Sequence, residues 1–273
     1  MSKYKTGDAL LDDILIGCNF DLKKHKSDAI KIGLIKADKK LPKFDQSSSP
    51  ESIRKKLKIY VTGNDVPKPL NSFPDYIKKY TIPTPVQNQA IPVLKSLRNA
   101  LICAPTGSGK TAAFLIPTFE NLLNEKVKSA LIIQPTVELA DQTLKELESI
   151  NPDTEKIRPF HLTNISEKSQ RILTKKSPNI IITTPNKLIH FINSEKDEIR
   201  KIFEAVIKKI DFLIVDESDK LFDDSNYGKT ELSFRNQLGE IFSTLQKNKN
   251  RVTYTFFSAT YRVCGKFFEK VLV

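Results

Sequence analysis

Hydrophobic positions along the chain change their pattern at about residue 84. From there on, short apolar runs alternate with longer segments of helical period. The runs are ALICAP, ALIIQP, FHLT, NIIITTP, FLIVDE and VTYTFFSAT, and the first two helical segments are Thr111–Asn124 and Thr136–Ile150. Continuous apolar runs of this length are typical of strands buried in a parallel sheet. Since right-handed crossovers place helices on both faces of such a sheet, the pattern predicts a doubly wound α/β domain.

The first 70 residues lack this alternation. They contain basic blocks such as KKHK and RKKLK and a stretch, SSSPES, whose composition is typical of a linker. Within them we expect order only in a short helix around Ala9–Ile16 and in the apolar patch Lys58–Val61. The sequence thus predicts a basic, largely irregular N-terminal extension and linker over residues 1–70, followed by one α/β domain over residues 71–273.

Charge narrows the choice of partner. Lysine and arginine number 44 against 32 acidic residues, so the net charge is +12. A surplus of this size favours a polyanionic partner, nucleic acid before membrane. No apolar run approaches the roughly 18 residues of a membrane span, and the first residues lack the apolar core of a secretory signal, so we expect no membrane partner.

Three widely spaced cysteines fit neither a disulfide framework nor a zinc site, which favours a reducing compartment.

A phosphate-binding loop is predicted directly after the first strand. The segment APTGSGKT separates the strand ALIC from a helical segment. Glycines allow backbone N–H groups to turn towards phosphate oxygens, and the following helix offers its positive N-terminus. Lys110 can reach the β- and γ-phosphates, and Thr111 can present its hydroxyl to Mg²⁺. The predicted nucleotide-binding residues are Ala104, Pro105, Thr106, Gly107, Ser108, Gly109, Lys110 and Thr111.

A second motif, which is acidic, follows the strand FLIV and consists of Asp216, Glu217, Ser218 and Asp219. Ligands of open α/β sheets bind beside the carboxyl ends of the strands. Asp216 is therefore predicted to hold Mg²⁺ together with Thr111, and Glu217 to orient or deprotonate an attacking water. Lys110, Asp216 and Glu217 are the predicted catalytic residues.

These segments, in order, resemble the motifs of the DEAD-box RNA helicases. APTGSGKT, PTVELADQ, TTPNKL, VDESD and SAT look like motifs I, Ia, Ib, II and III, and PTPVQ upstream is similar to the Q motif. The resemblance implies a RecA-like P-loop domain, ATP and Mg²⁺ as cofactors, and coupling of ATP hydrolysis to RNA unwinding or remodelling. It also implies that Gln87 selects adenine, because a side-chain amide both donates and accepts. Phe73 is the expected aromatic partner of adenine, although it lies nearer to Gln87 than is usual in the family.

The same resemblance implies roles in RNA binding and coupling. Small residues and helix N-termini suit contacts with the RNA backbone and its 2′-hydroxyls, which makes binding RNA-selective and largely blind to sequence. The residues expected to grip RNA phosphates and sugars are Pro135, Thr136, Thr184 and Pro185. The residues expected to couple nucleotide state to RNA binding are Asp219, Ser258 and Thr260.

Several departures from the family pattern indicate a branch. Ser218 stands where the family name has alanine, Val137 replaces an arginine, Asn186 and Lys187 replace glycine and arginine, and the paired glycines after motif Ia are absent. Together with DESDKLF and KIYVTGNDVPKPLNSF they resemble the Rok-type helicases. That resemblance implies pre-ribosomal RNA as substrate, small-subunit ribosome biogenesis, pre-ribosomal proteins as further partners, and a nucleolar location in the nucleus.

Three functions remain open from the residues. A helicase of this type needs a second RecA-like domain, which supplies arginines to the ATP site and which we expect in cis or in trans. Alone, residues 1–273 are then expected to bind ATP weakly and to hydrolyse it poorly. One alternative is a catalytically incomplete half-helicase that acts as an RNA- and nucleotide-binding assembly module, and another is a P-loop nucleotide kinase or other NTPase. The intact catalytic residues argue against the assembly module, and Gln87 and the SAT strand argue against the nucleotide kinase or other NTPase.

Overall fold

The computed structural model describes residues 70–163, 166–222, 234–246 and 252–259. The helix expected around Ala9–Ile16 and the patch Lys58–Val61 lie outside these residues, so the division of the chain near residue 70 stays a prediction. In the ranges described, no helix combines the length and the apolar character needed to cross a bilayer.

The described strands form one six-stranded sheet in which every neighbouring pair is parallel. The strand order is β1-β6-β5-β2-β4-β3. The strands are β1 (Ala100–Cys103), β2 (Ala130–Ile133), β3 (Pro159–Leu162), β4 (Ile180–Thr183), β5 (Phe212–Val215) and β6 (Thr253–Ser258). Each coincides with one of the apolar runs, and the prediction of a doubly wound parallel sheet is confirmed.

Helices occupy most of the connections between the strands. They are α1 (Pro85–Lys95), α2 (Lys110–Leu123), α3 (Val137–Ile150), α4 (Glu167–Arg171), α5 (Pro185–Ile192), α6 (Asp197–Ile207), α7 (Ser218–Phe222) and α8 (Phe234–Gln246), with one π-helical turn at Ile172–Lys176. Helix α2 begins one residue before the predicted position, since Gly109 is its N-cap. Helix α3 begins after Thr136, whose hydroxyl accepts the N–H of Leu139 at 3.3 Å.

Alternate side chains of the strands enter two hydrophobic clusters, one on each face of the sheet. On β5, Leu213 and Val215 join a cluster with α5, α6 and α8, whereas Phe212 and Ile214 join a cluster with α1, α2 and α3. Each fully buried side chain of this size contributes roughly 1.5–3 kcal/mol of hydrophobic stabilisation. Two such layers hold the strands in fixed register, so the loops that leave the sheet start from rigid positions.

The strand order decides which loops are neighbours. Because all strands run in parallel, their carboxyl ends meet at one edge of the sheet. Strand β6 lies between β1 and β5. Strand β2 pairs with β5 on one side and with β4 on the other. The segments that follow β1, β5, β2 and β4 are those in which the sequence analysis placed its chemistry. The fold therefore gathers them along a single edge.

Candidate functional site

Residues 104–109 form a loop between β1 and α2 in which two glycines adopt left-handed backbone conformations. Gly107 has φ +77° and Gly109 has φ +91°, a region that other residues enter at a cost. Gly109 is the N-cap of α2 and offers no side-chain cap. The first-turn N–H groups of a helix without such a cap are suited to an anion. The loop has the backbone that the glycine pattern predicted.

We expect Gly109→Ala to destabilise the protein more than Gly107→Ala. Both substitutions place an L-residue at positive φ, which costs roughly 1–2 kcal/mol. A methyl group at Gly109 would also overlap the Gln87 side-chain amide, whereas no described residue lies within 4 Å of one at Gly107. Urea unfolding of both variants measures the difference, and equal losses of unfolding free energy would contradict the importance of this close approach.

Lys110 begins α2 with its side chain turned back onto the loop. The residue is 6% exposed, and its Nζ donates hydrogen bonds to the carbonyls of Ala104 at 2.9 Å and Pro105 at 3.2 Å. The ammonium is thus held at the loop by backbone oxygens. Thr111 follows it in the first turn of the helix and is half-buried.

Gln87 connects α1 to the same loop. Its Oε1 accepts the N–H of Thr84 at 2.9 Å, and its Nε2 donates to the carbonyl of Gly109 at 3.1 Å. The Thr84 hydroxyl donates to the carbonyl of Ser108 at 2.7 Å and also caps α1. Both groups of the Gln87 amide are therefore engaged with protein atoms. Each of these groups can make one further hydrogen bond, and contact with adenine stays a prediction.

Phe73 lies in the hydrophobic cluster beneath α1 and α2. It is 8% exposed, and its ring centroid lies 5.6 Å from that of Tyr80 at an interplanar angle of 45°. No helix occupies residues 73–83, a stretch that the structure describes completely. Stacking of Phe73 on adenine stays a prediction.

Asp216 follows β5 and is almost fully buried, with 7% of its surface exposed. Its Oδ1 accepts the N–H of Glu217 at 2.9 Å, and its Oδ2 accepts the Nε2 of Gln134 at 3.2 Å. Burial raises the pKa of Asp216 to about 6, although these two hydrogen bonds and the charge of Lys110 act in the opposite direction. A buried carboxylate is poorly solvated in its ionised form, so a cation placed beside it stabilises that form.

This pKa predicts the sign of a stability change with pH. In the unfolded chain Asp216 titrates near 3.8, and in the folded chain near 6. Between these values the folded state holds a proton that the unfolded state has lost, so the free energy of unfolding falls as pH rises, by about 3 kcal/mol in total. Asp216→Asn removes this contribution. We expect urea unfolding to show the variant gaining stability relative to wild type from pH 4 to pH 6, with no further change above; a constant difference would contradict the pKa.

The residues at this edge fit Mg²⁺. Asp216 offers a buried carboxylate and Thr111 a hydroxyl, and hard cations prefer such oxygens. In the described ranges no three His, Cys, Asp or Glu side chains cluster in a way that would enclose a metal. Mg²⁺ is commonly bound by one or two protein ligands together with water and nucleotide phosphates. The oxygen donors here suit that mode of binding.

Glu217 adopts a left-handed conformation with φ +49°, which is uncommon for a residue with a side chain and is often found at functional sites. Its Oε2 lies 3.2 Å from Nζ of Lys220. Asp219, in the short helix α7, is half-buried. The acidic motif thus leaves the sheet through a constrained turn.

Ser258 ends β6 between the two motifs. It is fully buried and pairs in register with Cys103, and its carbonyl accepts the N–H of Ala104 at 3.0 Å. The phosphate-binding loop is therefore tied to the strand that carries the SAT motif. Thr260 lies outside the described residues.

Two helix N-termini lie side by side further along the edge. Thr136 is the exposed N-cap of α3, and Thr184 is the buried N-cap of α5, whose hydroxyl makes no capping bond. Pro135 and Pro185 are buried beside them. Since Ile133 pairs with Thr183, both helices start from adjacent strand ends. The structure brings together all four residues predicted to contact RNA.

Two residues in this region, Gln134 and Thr84, were not predicted from the sequence. Gln134 bridges Asp216 and Thr143, and the Thr84 hydroxyl binds the phosphate-binding loop. The signal for Gln134 was a polar residue at the carboxyl end of the otherwise apolar run ALII. The signal for Thr84 was the capping-box spelling TPVQ.

Comparison with known proteins agrees with this geometry. The family model described as DEAD/DEAH box helicase matches residues 84–266. A protein of Bos taurus named probable ATP-dependent RNA helicase DDX52 is 38% identical over 226 residues, which are 76% of this chain and 36% of that protein. ATP-dependent RNA helicase ROK1 of Saccharomyces cerevisiae is 35% identical over 216 residues, covering 70% of this chain and 36% of the relative. The chain thus spans little more than a third of the length of these relatives.

Solved structures show the same fold. A DEAD box protein from the hyperthermophile Methanococcus jannaschii aligns with a TM-score of 0.52 and 28% identity, over 70% of this chain and 49% of that one. Mss116p bound to ssRNA and AMP-PNP aligns with a TM-score of 0.59 and 26% identity, over 84% of this chain and 44% of that one. The RecA-like fold of these proteins, the family match and the order of the motifs along one sheet edge lead to one assignment. This chain belongs to the DEAD/DEAH box helicase family.

Proposed function

We propose that this chain is the ATP-binding half of an ATP-dependent RNA helicase of the DEAD-box type. The observation that carries the proposal is the arrangement at the carboxyl edge of the sheet. The phosphate-binding loop and the acidic motif flank β6, and the N-termini of α3 and α5 follow along the same edge. The curated relatives cited above are all named ATP-dependent RNA helicases, which favours this function over an inactive assembly module or a nucleotide kinase.

ATP binding is assigned to the loop and to the Q motif. Backbone N–H groups of the loop and of the first turn of α2 bind phosphate oxygens. Lys110 leaves the carbonyls that now hold it and neutralises the β- and γ-phosphates. Gln87 binds the adenine edge through the remaining donor and acceptor sites of its amide, while Phe73 provides an aromatic surface for the base.

Hydrolysis is assigned to the acidic motif. Thr111 and Asp216 would hold Mg²⁺, which neutralises charge on the phosphate oxygens when it is bound. Glu217 orients the attacking water and accepts its proton. A second RecA-like domain, in cis or in trans, would add arginines that stabilise the transferring phosphoryl group and so raise the rate.

RNA binding is assigned to the adjacent helix N-termini. Backbone N–H groups near Pro135, Thr136, Thr184 and Pro185 approach phosphates and sugars without reading bases. The net charge of +12 favours the same ligand, and affinity is expected to fall steeply with salt. Coupling between RNA and nucleotide runs through Asp219, Ser258 and Thr260.

The cellular assignment is finer and depends on the likeness to the Rok-type branch. We propose pre-ribosomal RNA as the substrate, in small-subunit pre-rRNA processing, with pre-ribosomal proteins as further partners and the nucleolus as the location. The similarity to the relatives named ROK1 and the segments DESDKLF and TPNKL of this sequence support this branch.

Steady-state ATP hydrolysis tests the proposed activity. The chain, joined to or mixed with a second RecA-like domain, is assayed with ATP or GTP and with or without RNA. We expect hydrolysis that prefers ATP, rises when RNA is added and is accompanied by separation of a short RNA duplex. Phosphate transfer to a nucleotide acceptor, or hydrolysis indifferent to RNA, would contradict the proposal.

A further inference from the structure

A buried amide bridge links the acidic motif to helix α3. Gln134 follows β2 and is 1% exposed. Its Nε2 donates to Oδ2 of Asp216 at 3.2 Å and to Oγ1 of Thr143 at 2.7 Å. Thr143, also buried, belongs to the helix that begins after Thr136. A single side chain thereby contacts both the carboxylate assigned to Mg²⁺ and the helix whose N-terminus is assigned to RNA.

Packing alone does not account for a glutamine at this place. The strand β2 that precedes it is entirely apolar and buried. The Oε1 atom of Gln134 is buried and finds no hydrogen-bond partner among the residues that the structure describes. A buried polar atom without a partner costs stability, and an apolar side chain of the same size would avoid that cost. The glutamine is therefore less favourable for stability than an apolar side chain would be, which indicates that its amide serves another purpose.

The partner of the amide indicates that purpose. In the described structure the Asp216 carboxylate accepts two hydrogen bonds, one from the Glu217 N–H and one from Gln134. The first fixes Oδ1 and the second fixes Oδ2, so together they determine the orientation of the carboxylate plane. Groups that orient a metal ligand in this way typically change metal affinity or activity about 10–100-fold when they are removed.

We infer that Gln134 is a positioning residue, which orients the Asp216 carboxylate towards Mg²⁺-bound nucleotide and ties it to α3 through Thr143. The inference rests on the proposed function, since it assumes that Asp216 holds Mg²⁺ when ATP is bound. It adds a residue outside the resemblance-based assignments. It also gives a direct physical connection between the two halves of the sheet edge, from β5 across β2 to α3.

The test measures the affinity of the 273-residue chain for a fluorescent ADP, N-methylanthraniloyl-ADP, in excess Mg²⁺ and in excess EDTA. The ratio of the two dissociation constants reports the contribution of Mg²⁺ to binding. Gln134→Met keeps the length of the side chain and removes its polar group. Thr143→Val keeps the shape of the threonine and removes its hydroxyl. Gln142→Met, at an exposed neighbouring position on α3, is the matched control.

We expect Gln134→Met to reduce the Mg²⁺-dependent gain in affinity about 10-fold without changing the affinity in EDTA. Thr143→Val should reduce the gain in the same direction by a smaller factor, and the double variant should resemble Gln134→Met alone, because both residues act through one bridge. Gln142→Met should match wild type. A merely structural role would lower the unfolding temperature and leave the ratio unchanged.

Failure of this inference and failure of the proposed function give different results. If wild type gains affinity from Mg²⁺ and folded Gln134→Met gains equally, the positioning role is wrong while the proposed function stands. If Gln134→Met does not fold, Thr143→Val decides by the same ratio, and a wild-type ratio overturns the link to α3. If wild type itself binds the nucleotide no better with Mg²⁺, the proposed function and the inference fail together.

Discussion

Glu217→Gln is expected to slow ATP hydrolysis by about 10²–10⁴-fold, the usual contribution of a general base, while ATP and RNA still bind. The carboxylate follows directly on Asp216 and is set in a constrained left-handed turn. An amide of the same shape cannot accept the proton of the attacking water. Single-turnover hydrolysis, in the protein that includes a second RecA-like domain, isolates this step from product release.

The ion pair of Glu217 with Lys220 provides the control. Lys220→Met removes the 3.2 Å contact but leaves the carboxylate in place, so its rate is expected to stay near that of wild type. If Glu217→Gln hydrolyses ATP at the wild-type rate, another group is the base. If Lys220→Met is as slow as Glu217→Gln, the ion pair rather than proton transfer explains the loss.

Lys110→Met is expected to lower the turnover rate by about 10²–10³-fold, as the removal of one preorganised donor does at other sites of charge stabilisation. Lys110 is 6% exposed and its ammonium is held by the carbonyls of Ala104 and Pro105, so the charge lies at the loop before nucleotide arrives. Because it is assigned to the β- and γ-phosphates, binding of ATP and ADP should weaken while binding of AMP changes little. Calorimetric titration of the three nucleotides checks this order.

An exposed lysine serves as the matched control for that substitution. Lys126 lies in the loop before β2, at the opposite edge of the sheet from the phosphate-binding loop. Lys126→Met removes the same charge from the protein and should leave all three nucleotide affinities unchanged. Equal losses for AMP and ATP in Lys110→Met would contradict the phosphate contact, and equal losses in Lys126→Met would reduce it to a general effect of charge.

Local patterns were sufficient to predict the strands and the helices α2 and α3. All six strands overlap apolar runs, because the strands of a sheet covered on both faces are rich in apolar residues. Helix α2 begins at Lys110 rather than Thr111, since the start of the helix depends on the left-handed Gly109. The order of the strands depends on contacts between distant segments, and the insertion of β6 between β1 and β5 could not be read from hydrophobic pattern alone.

The interior contacts of the site were beyond prediction for the same reason. Gln87 was assigned to adenine from its motif, and the hydrogen bonds of its amide with Thr84 and Gly109 were not predicted. The bridge from Gln134 to Asp216 joins side chains 82 positions apart. Residue types and spacing indicate which chemistry a chain contains, whereas partners so distant in sequence are determined by how the sheet is assembled.

The most direct test of the central claim is a titration of the isotopically labelled chain with Mg²⁺ and ADP, followed through its backbone amide resonances. We expect the largest shifts on Gly107, Gly109, Lys110 and Thr111, with smaller shifts at Asp216 and Glu217. Elsewhere on the surface, a depression of about 590 Å³ is lined by residues of α4 and of the π-helical turn. Shifts concentrated there, with the loop between β1 and α2 unaffected, would contradict a nucleotide site at the carboxyl edge.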